Sequence, residues 1–196
     1  MISVGRLSPE KNWKRLIEAS ARAWALHPKL RLVLIGDGLD REKLVKYTGK
    51  LGISDRVTFI GSLPYEEIPA YLKAADLFGF ASTAETQGLV TMEAVAAGLP
   101  VVAVDAVGTR DIVIHNYTGI LTKNDSYSLG NAIATLLNQP DTLAEFRKNA
   151  ALQAKEFDIT LQAQKLLAVY QQAIEDYKAG QTVVLHRSKK IFSFSS

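Results

Sequence analysis

Cysteine is absent from this chain of 196 residues. That excludes disulfide frameworks, thiolate zinc sites and cysteine nucleophiles, and it suits a reducing compartment. No apolar run approaches the roughly 20 residues of a membrane-spanning helix, and no basic-then-apolar leader opens the chain. The dinucleotide fingerprint Gly-x-Gly-x-x-Gly does not follow the first apolar run. No Asp-x-Asp occurs, and His27, His115 and His186 are isolated, so no metal or cofactor is expected. The body also lacks an excess of either charge. The net charge of +3 resides in Arg187, Lys189 and Lys190, within a segment 179–196 that has no acid. A body without a basic field argues against nucleic acid as a partner.

What the chain does have is alternation. Short, continuously apolar runs at Met1–Val4, Leu30–Ile35, Val57–Ile60, Leu77–Phe80 and Val101–Val104, with a sixth at Gly119–Leu121, predict strands covered on both faces. Helical spacing separates them: Leu16, Ile17, Ala19, Ala23 and Trp24; then Leu44, Val45 and Leu51; then Ile68, Tyr71, Leu72 and Ala75; then Met92, Val95 and Ala96. Three further helices are predicted at Leu129–Leu137, Leu143–Ala154 and Leu161–Tyr177, with Pro140 and Asp141 punctuating the first two. The expected fold is α/β, a doubly wound parallel sheet with extra C-terminal helices. Residues 1–178 are expected to form one domain, and 179–196 a flexible basic tail.

In such sheets ligands bind beyond the carboxyl ends of the strands. After the first strand, Gly5 permits close backbone approach, and Arg6 and Lys11 offer two cations suited to phosphate oxygens; solvated turn charges are the competing reading. After the second, Gly36 and Gly38 make a tight turn before Asp40. After the third, Ile60 precedes Gly61. The stretch after the fourth is the most informative. A helix starting near Gln87 or Gly88 would leave the Gly88, Leu89 and Val90 amides without internal partners, and those donors with the helix dipole make an anion site. Glu85 stands just before that helix and Glu93 inside it, among apolar neighbours. Carboxylates beside a phosphate cradle make sense if the ligand also carries hydroxyls.

Val4-Gly5-Arg6-Leu7 with Lys11, Ile35-Gly36-Asp37-Gly38, Glu85-x7-Glu93 and Ala97-Gly98-Leu99-Pro100-Val101-Val102 occur in this order. As a set they resemble the C-terminal, donor-binding domain of the retaining GT-B glycosyltransferases of group 1, over roughly residues 1–175. Glu85-Thr86-Gln87-Gly88-Leu89-Val90 and Gly108-Thr109-Arg110-Asp111-Ile112-Val113 are most similar to bacterial diacylglycerol glucosyltransferases. The resemblance implies a Rossmann-like half of a GT-B fold. It implies catalytic roles for Arg6 and Lys11 on the donor diphosphate and for Glu85 on the sugar hydroxyls. It assigns donor contacts to Gly5 and to the Gly88, Leu89 and Val90 amides, the ribose to Glu93, and the base to Ile60, with Gly36 and Gly38 leaving room. The donor it implies is a UDP-sugar, UDP-glucose first, without metal, and the acceptor a lipid or carbohydrate. In the loop after the fifth strand the chain departs from the family's Gly-Gly pair: Gly108 stands alone, with Asp111 in the acidic position.

The resemblance implies an N-terminal acceptor domain outside residues 1–196, and so an enzyme expected to be incomplete without that partner. It also leaves Leu166, Leu167, Val169 and Tyr170 as an expected docking surface. A non-catalytic nucleotide-sugar-binding module would carry the same residues. The expected location is cytoplasmic. Thr182–Leu185 and the basic residues after it fit either an anionic inner membrane face or a frayed end. Trp13 and Trp24, close to one face of one helix, read as packing residues.

Overall fold

The computed structural model describes residues 1–181. The membrane reading of the tail from Thr182 onward lies outside the described residues. The described residues divide into two compact units, the first Met1–Phe157 and the second beginning at Asp158.

The first unit holds six strands: β1 Ile2–Val4, β2 Leu32–Ile35, β3 Val57–Gly61, β4 Phe78–Phe80, β5 Val101–Val104 and β6 Gly119–Thr122. They form one sheet in the order β3-β2-β1-β4-β5-β6, every neighbouring pair parallel. Its helices are α1 Trp13–Leu26, α2 Arg41–Lys50, α3 Ile68–Lys73, α4 Leu89–Ala96, α5 Ser126–Leu137 and α6 Pro140–Gln153.

Side chains alternate across the strands, so the sheet feeds two cores. Leu32, Leu34, Val102 and Val104 face one way and pack with Leu16 and Ile17 of α1, Leu44 of α2, and Leu129 and Ile133 of α5. Ile2, Val4, Phe78, Val101 and Ala103 pack on the opposite side with Leu72 of α3, Ala94 and Val95 of α4, and Ala150 of α6. Each fully buried Leu or Ile contributes about 1.5–3 kcal/mol. Helix α1 buries Trp13, Leu16, Ile17, Ser20, Ala23 and Trp24, a spacing that lines one face. Mid-helix Gly130 explains the tight α1–α5 crossing: a Cβ there would stand 2.7 Å from the Ala19 carbonyl.

Two helices begin earlier than their apolar pattern suggests, because an Asp caps each. Asp125 accepts from the Ser128 amide at 2.7 Å and starts α5 at Ser126. In the second unit Asp158 accepts from the Leu161 amide at 3.0 Å and starts α7, Ile159–Lys178. Helix α7 buries none of its residues, and Leu166, Leu167, Val169 and Tyr170 are all more than half exposed.

Candidate functional site: a crevice where the sheet changes direction

From β1 the chain moves outward through β2 to β3, then returns to β4 and moves the other way through β5 to β6. Adjacent β1 and β4 therefore send their loops apart, which opens a crevice at their carboxyl ends. Residues 5–12 and 81–88 flank it.

The first loop is fastened to the loop after β2. The Gly5 amide donates to the Ile35 carbonyl at 3.0 Å and the Leu7 amide to the Asp37 carbonyl at 2.8 Å; the Asp40 amide returns a bond to the Leu7 carbonyl at 3.0 Å. Gly36 and Gly38 allow this seam. A Cβ on Gly36 would collide with the Gly5 carbonyl, and one on Gly38 with the Leu7 backbone. The space that a side chain would take at these glycines is thus filled by the chain itself. Beyond the seam a single 3-10 turn, Pro9–Lys11, ends at Asn12, and Lys11 leaves it toward the crevice.

The second loop ends at Gly88, which sits in the left-handed region at φ 65 as N-cap of α4. The helix begins at Leu89, a residue or two later than expected. Its first internal bond runs from the Met92 amide to the Gly88 carbonyl at 2.9 Å. The amides without a helical acceptor are therefore Gly88, Leu89, Val90 and also Thr91. The Gly108 carbonyl occupies the place of a Cβ on Gly88, and a Cβ on Gly108 would come within 2.9 Å of Glu85. The loop after β5 thus braces the start of α4. Asp111 serves that brace, accepting from the Gly108 amide at 3.2 Å.

Lys11 and Glu85 meet across the crevice. Lys11 Nζ donates to Glu85 Oε1, with the side chains only 18% and 11% exposed. Asn12 Nδ2 reaches Thr83 Oγ1 at 3.4 Å beside them. The pair is largely withdrawn from water, so its charges are screened less than those of a surface ion pair. Arg6, one residue past Gly5, is exposed.

Glu93 occupies a different recess. It lines an apolar groove of about 270 Å³ with Tyr65, Ile68, Leu72 and Lys73, between α3 and α4. Burial pushes its carboxyl above the ordinary range, and the Tyr65 hydroxyl pulls it partly back. Ile60, at the end of β3, packs at the margin of the core on this side. Tyr65 is the residue that sequence reasoning missed; an aromatic four positions after Gly61 was the available signal. A larger cavity of about 350 Å³, lined by Ser8, Asn12, Lys14, Glu18 and Asp40, lies on the α1–α2 side and includes neither Lys11 nor Glu85. Strand order, rather than cavity size, marks the candidate crevice. Among the described residues no three of His, Asp and Glu converge to hold a metal, and no helix is long and apolar enough to cross a membrane.

The family model for glycosyl transferases group 1 matches residues 1–153. The chain belongs to this family. Among other group 1 glycosyltransferases it is 34% identical over 188 residues to D-inositol 3-phosphate glycosyltransferase of Gordonia bronchialis, covering 90% of this chain and 41% of that one. It is also 34% identical over 141 residues to alpha-monoglucosyldiacylglycerol synthase of Streptococcus pneumoniae, covering 72% of this chain and 32% of the synthase. Equal identity to the two places the likeness at the level of the family rather than of one acceptor. The Anabaena protein HepE, solved with UDP and with UDP-glucose, is 31% identical with TM-scores of 0.78 and 0.76, covering 87% of this chain and 48% of HepE. The fold is the Rossmann-like half of GT-B with C-terminal helices, and the chain spans less than half the length of these group 1 relatives.

Proposed function

We propose that this chain is the donor-binding half of a retaining hexosyltransferase that takes a UDP-sugar, UDP-glucose first, and passes the sugar to a lipid or carbohydrate hydroxyl. The observation that carries this reading is the Lys11–Glu85 pair beside the start of α4 at the switch point of the sheet. A nucleoside diphosphate sugar is an anion joined to a neutral polyol. A cation and a carboxylate side by side match those two parts, whereas a plain phosphate would be repelled by Glu85.

In this reading Arg6 and Lys11 neutralise the diphosphate as it departs with the electron pair of the broken C1–O bond. The Gly88, Leu89 and Val90 amides add fixed donors, and stabilising that developing charge is the main catalytic contribution. Glu85 accepts hydrogen bonds from the sugar hydroxyls. The half-buried Glu93 takes the ribose, with Ile60 at the base and the backbones of Gly5, Gly36 and Gly38 lining the approach. No metal is required because the two cations and the helix start supply its charge. Turnover needs an N-terminal acceptor domain. HepE, solved with UDP-glucose, supports the donor. The pneumococcal synthase supports a lipid acceptor, in which case the basic tail would meet an anionic membrane face on the cytoplasmic side.

Titration calorimetry with UDP and UDP-glucose, with and without a chelator, tests the proposal. Binding that survives the chelator is the expected result. Dependence on a divalent metal, or no heat at millimolar nucleotide, refutes it.

A further inference from the structure

The two tryptophans of α1 are both buried, and each gives its indole N–H to a backbone carbonyl. Trp24 Nε1 donates to the Leu30 carbonyl at 2.9 Å and secures the turn between α1 and β2. Trp13 Nε1 donates to the Arg6 carbonyl at 2.8 Å and secures the loop between β1 and α1. The two bonds match in chemistry, but they lie at opposite ends of the helix, and the Trp24 bond is fully buried whereas the Trp13 bond is partly so.

The Trp13 bond lands at a sensitive place. The seam with the β2 loop holds Gly5 and Leu7, and Arg6 lies between those anchors. The carbonyl of Arg6 turns the other way, toward α1, where Trp13 takes it; the Ser8 amide shares it at 2.9 Å. The ring also supports the backbone from below, since a Cβ on Gly5 would stand 3.4 Å from Trp13 Cζ2. Asn12, in the left-handed region at φ 54, joins the 3-10 turn bearing Lys11 directly to Trp13. One indole therefore fixes the peptide of the first cation and roots the turn that presents the second.

We infer that Trp13 is a positioning residue for the donor diphosphate, holding through its indole N–H the loop that aims Arg6 and Lys11 at the ligand. The inference rests on the function proposed above and goes beyond it, because Trp13 acts through the backbone of the loop. Without the N–H the apolar packing survives, but the Arg6 carbonyl keeps only its local bonds from Ser8, the amide at 2.9 Å and the hydroxyl at 3.5 Å. The loop then samples more orientations, and the loss falls on the group that the cations grip.

Trp13→Phe and Trp24→Phe, compared in the full chain, form the test. Each loses one indole N–H···O=C bond, so a fall in Tm is expected in both, at least as large for the more buried Trp24 bond. Trp13→Phe is expected to weaken UDP about fivefold, the ratio set by one net hydrogen bond, and to leave uridine unchanged. Trp24→Phe is expected to change neither. A benzothienylalanine at position 13, which keeps the ring shape but has no N–H, is expected to repeat the fivefold loss. UDP affinity of the isostere equal to that of the unaltered chain overturns the inference. So do equal UDP losses in the two Phe variants, or equal losses of UDP and uridine in Trp13→Phe. Failure of the unaltered chain to bind UDP removes the proposed function and this inference with it, and is distinct from the other outcomes.

Discussion

Lys11 and Glu85, 74 residues apart in the chain, form an ion pair across the point where the sheet reverses its winding. Each is the other's partner in this arrangement. A donor that brings its own anion and its own hydroxyls can satisfy both at once.

Lys11→Ala is expected to weaken UDP at least about tenfold, the scale of a charge-assisted hydrogen bond, and to weaken uridine far less. Calorimetry with the two ligands checks this. Equal losses would place Lys11 away from the diphosphate.

Glu85→Gln tests the other partner. The amide keeps the shape and removes the negative charge, so UDP alone is expected to bind as well or better, since Lys11 is released. The advantage of UDP-glucose over UDP is expected to shrink. An unchanged ratio between the two ligands would remove Glu85 from the sugar.

Glu93 bears on stability as well as binding. Burial raises its carboxyl above the ordinary carboxylate range, so between the unfolded and the folded value the folded chain holds a proton that the unfolded chain releases. Stability from this group therefore falls as pH climbs from the unfolded value through the folded one. Glu93→Gln is expected to have a higher Tm than the unaltered chain at neutral pH, with the difference vanishing near about pH 4. The same variant is expected to lose uridine affinity. Thermal melts across that pH range, with uridine titrations at neutral pH, measure both.

Gly88→Ala places a Cβ against the Gly108 carbonyl and forces a left-handed alanine. A cost above about 1 kcal/mol is expected from the backbone conformation alone. Because the distortion falls at the start of α4, UDP affinity should fall together with Tm. A variant that melts normally and binds UDP normally would deny that Gly108 braces this helix.

The strands were legible because their apolar runs are short and continuous. Their ends were less so. Leu30 is buried and apolar, yet its amide bonds the His27 carbonyl in a turn, so β2 starts at Leu32. The start of α4 was misplaced because Gly88 reads equally well as the first helical residue or as a cap. The two carboxylates were visible as a spaced pair, but their separation into different recesses was not. Glu85 faces the β1 loop because β4 lies beside β1, and Glu93 faces Tyr65 because α3 packs near α4; both facts belong to strand order and helix packing. Gly36 and Gly38 were legible as a turn, while the Gly5 and Leu7 carbonyls that require them became visible only with the loops in place.

That seam has a thermodynamic consequence. Arg6 projects from a double thickness of backbone, and Lys11 from the short turn that follows it; both become ordered when the chain folds. The entropic toll of arranging the peptide is met before any nucleotide arrives, so association should draw little on loop freezing and mainly on the ligand's own lost motion. Loosening the β2 turn at Gly36 would move part of that toll into the binding step.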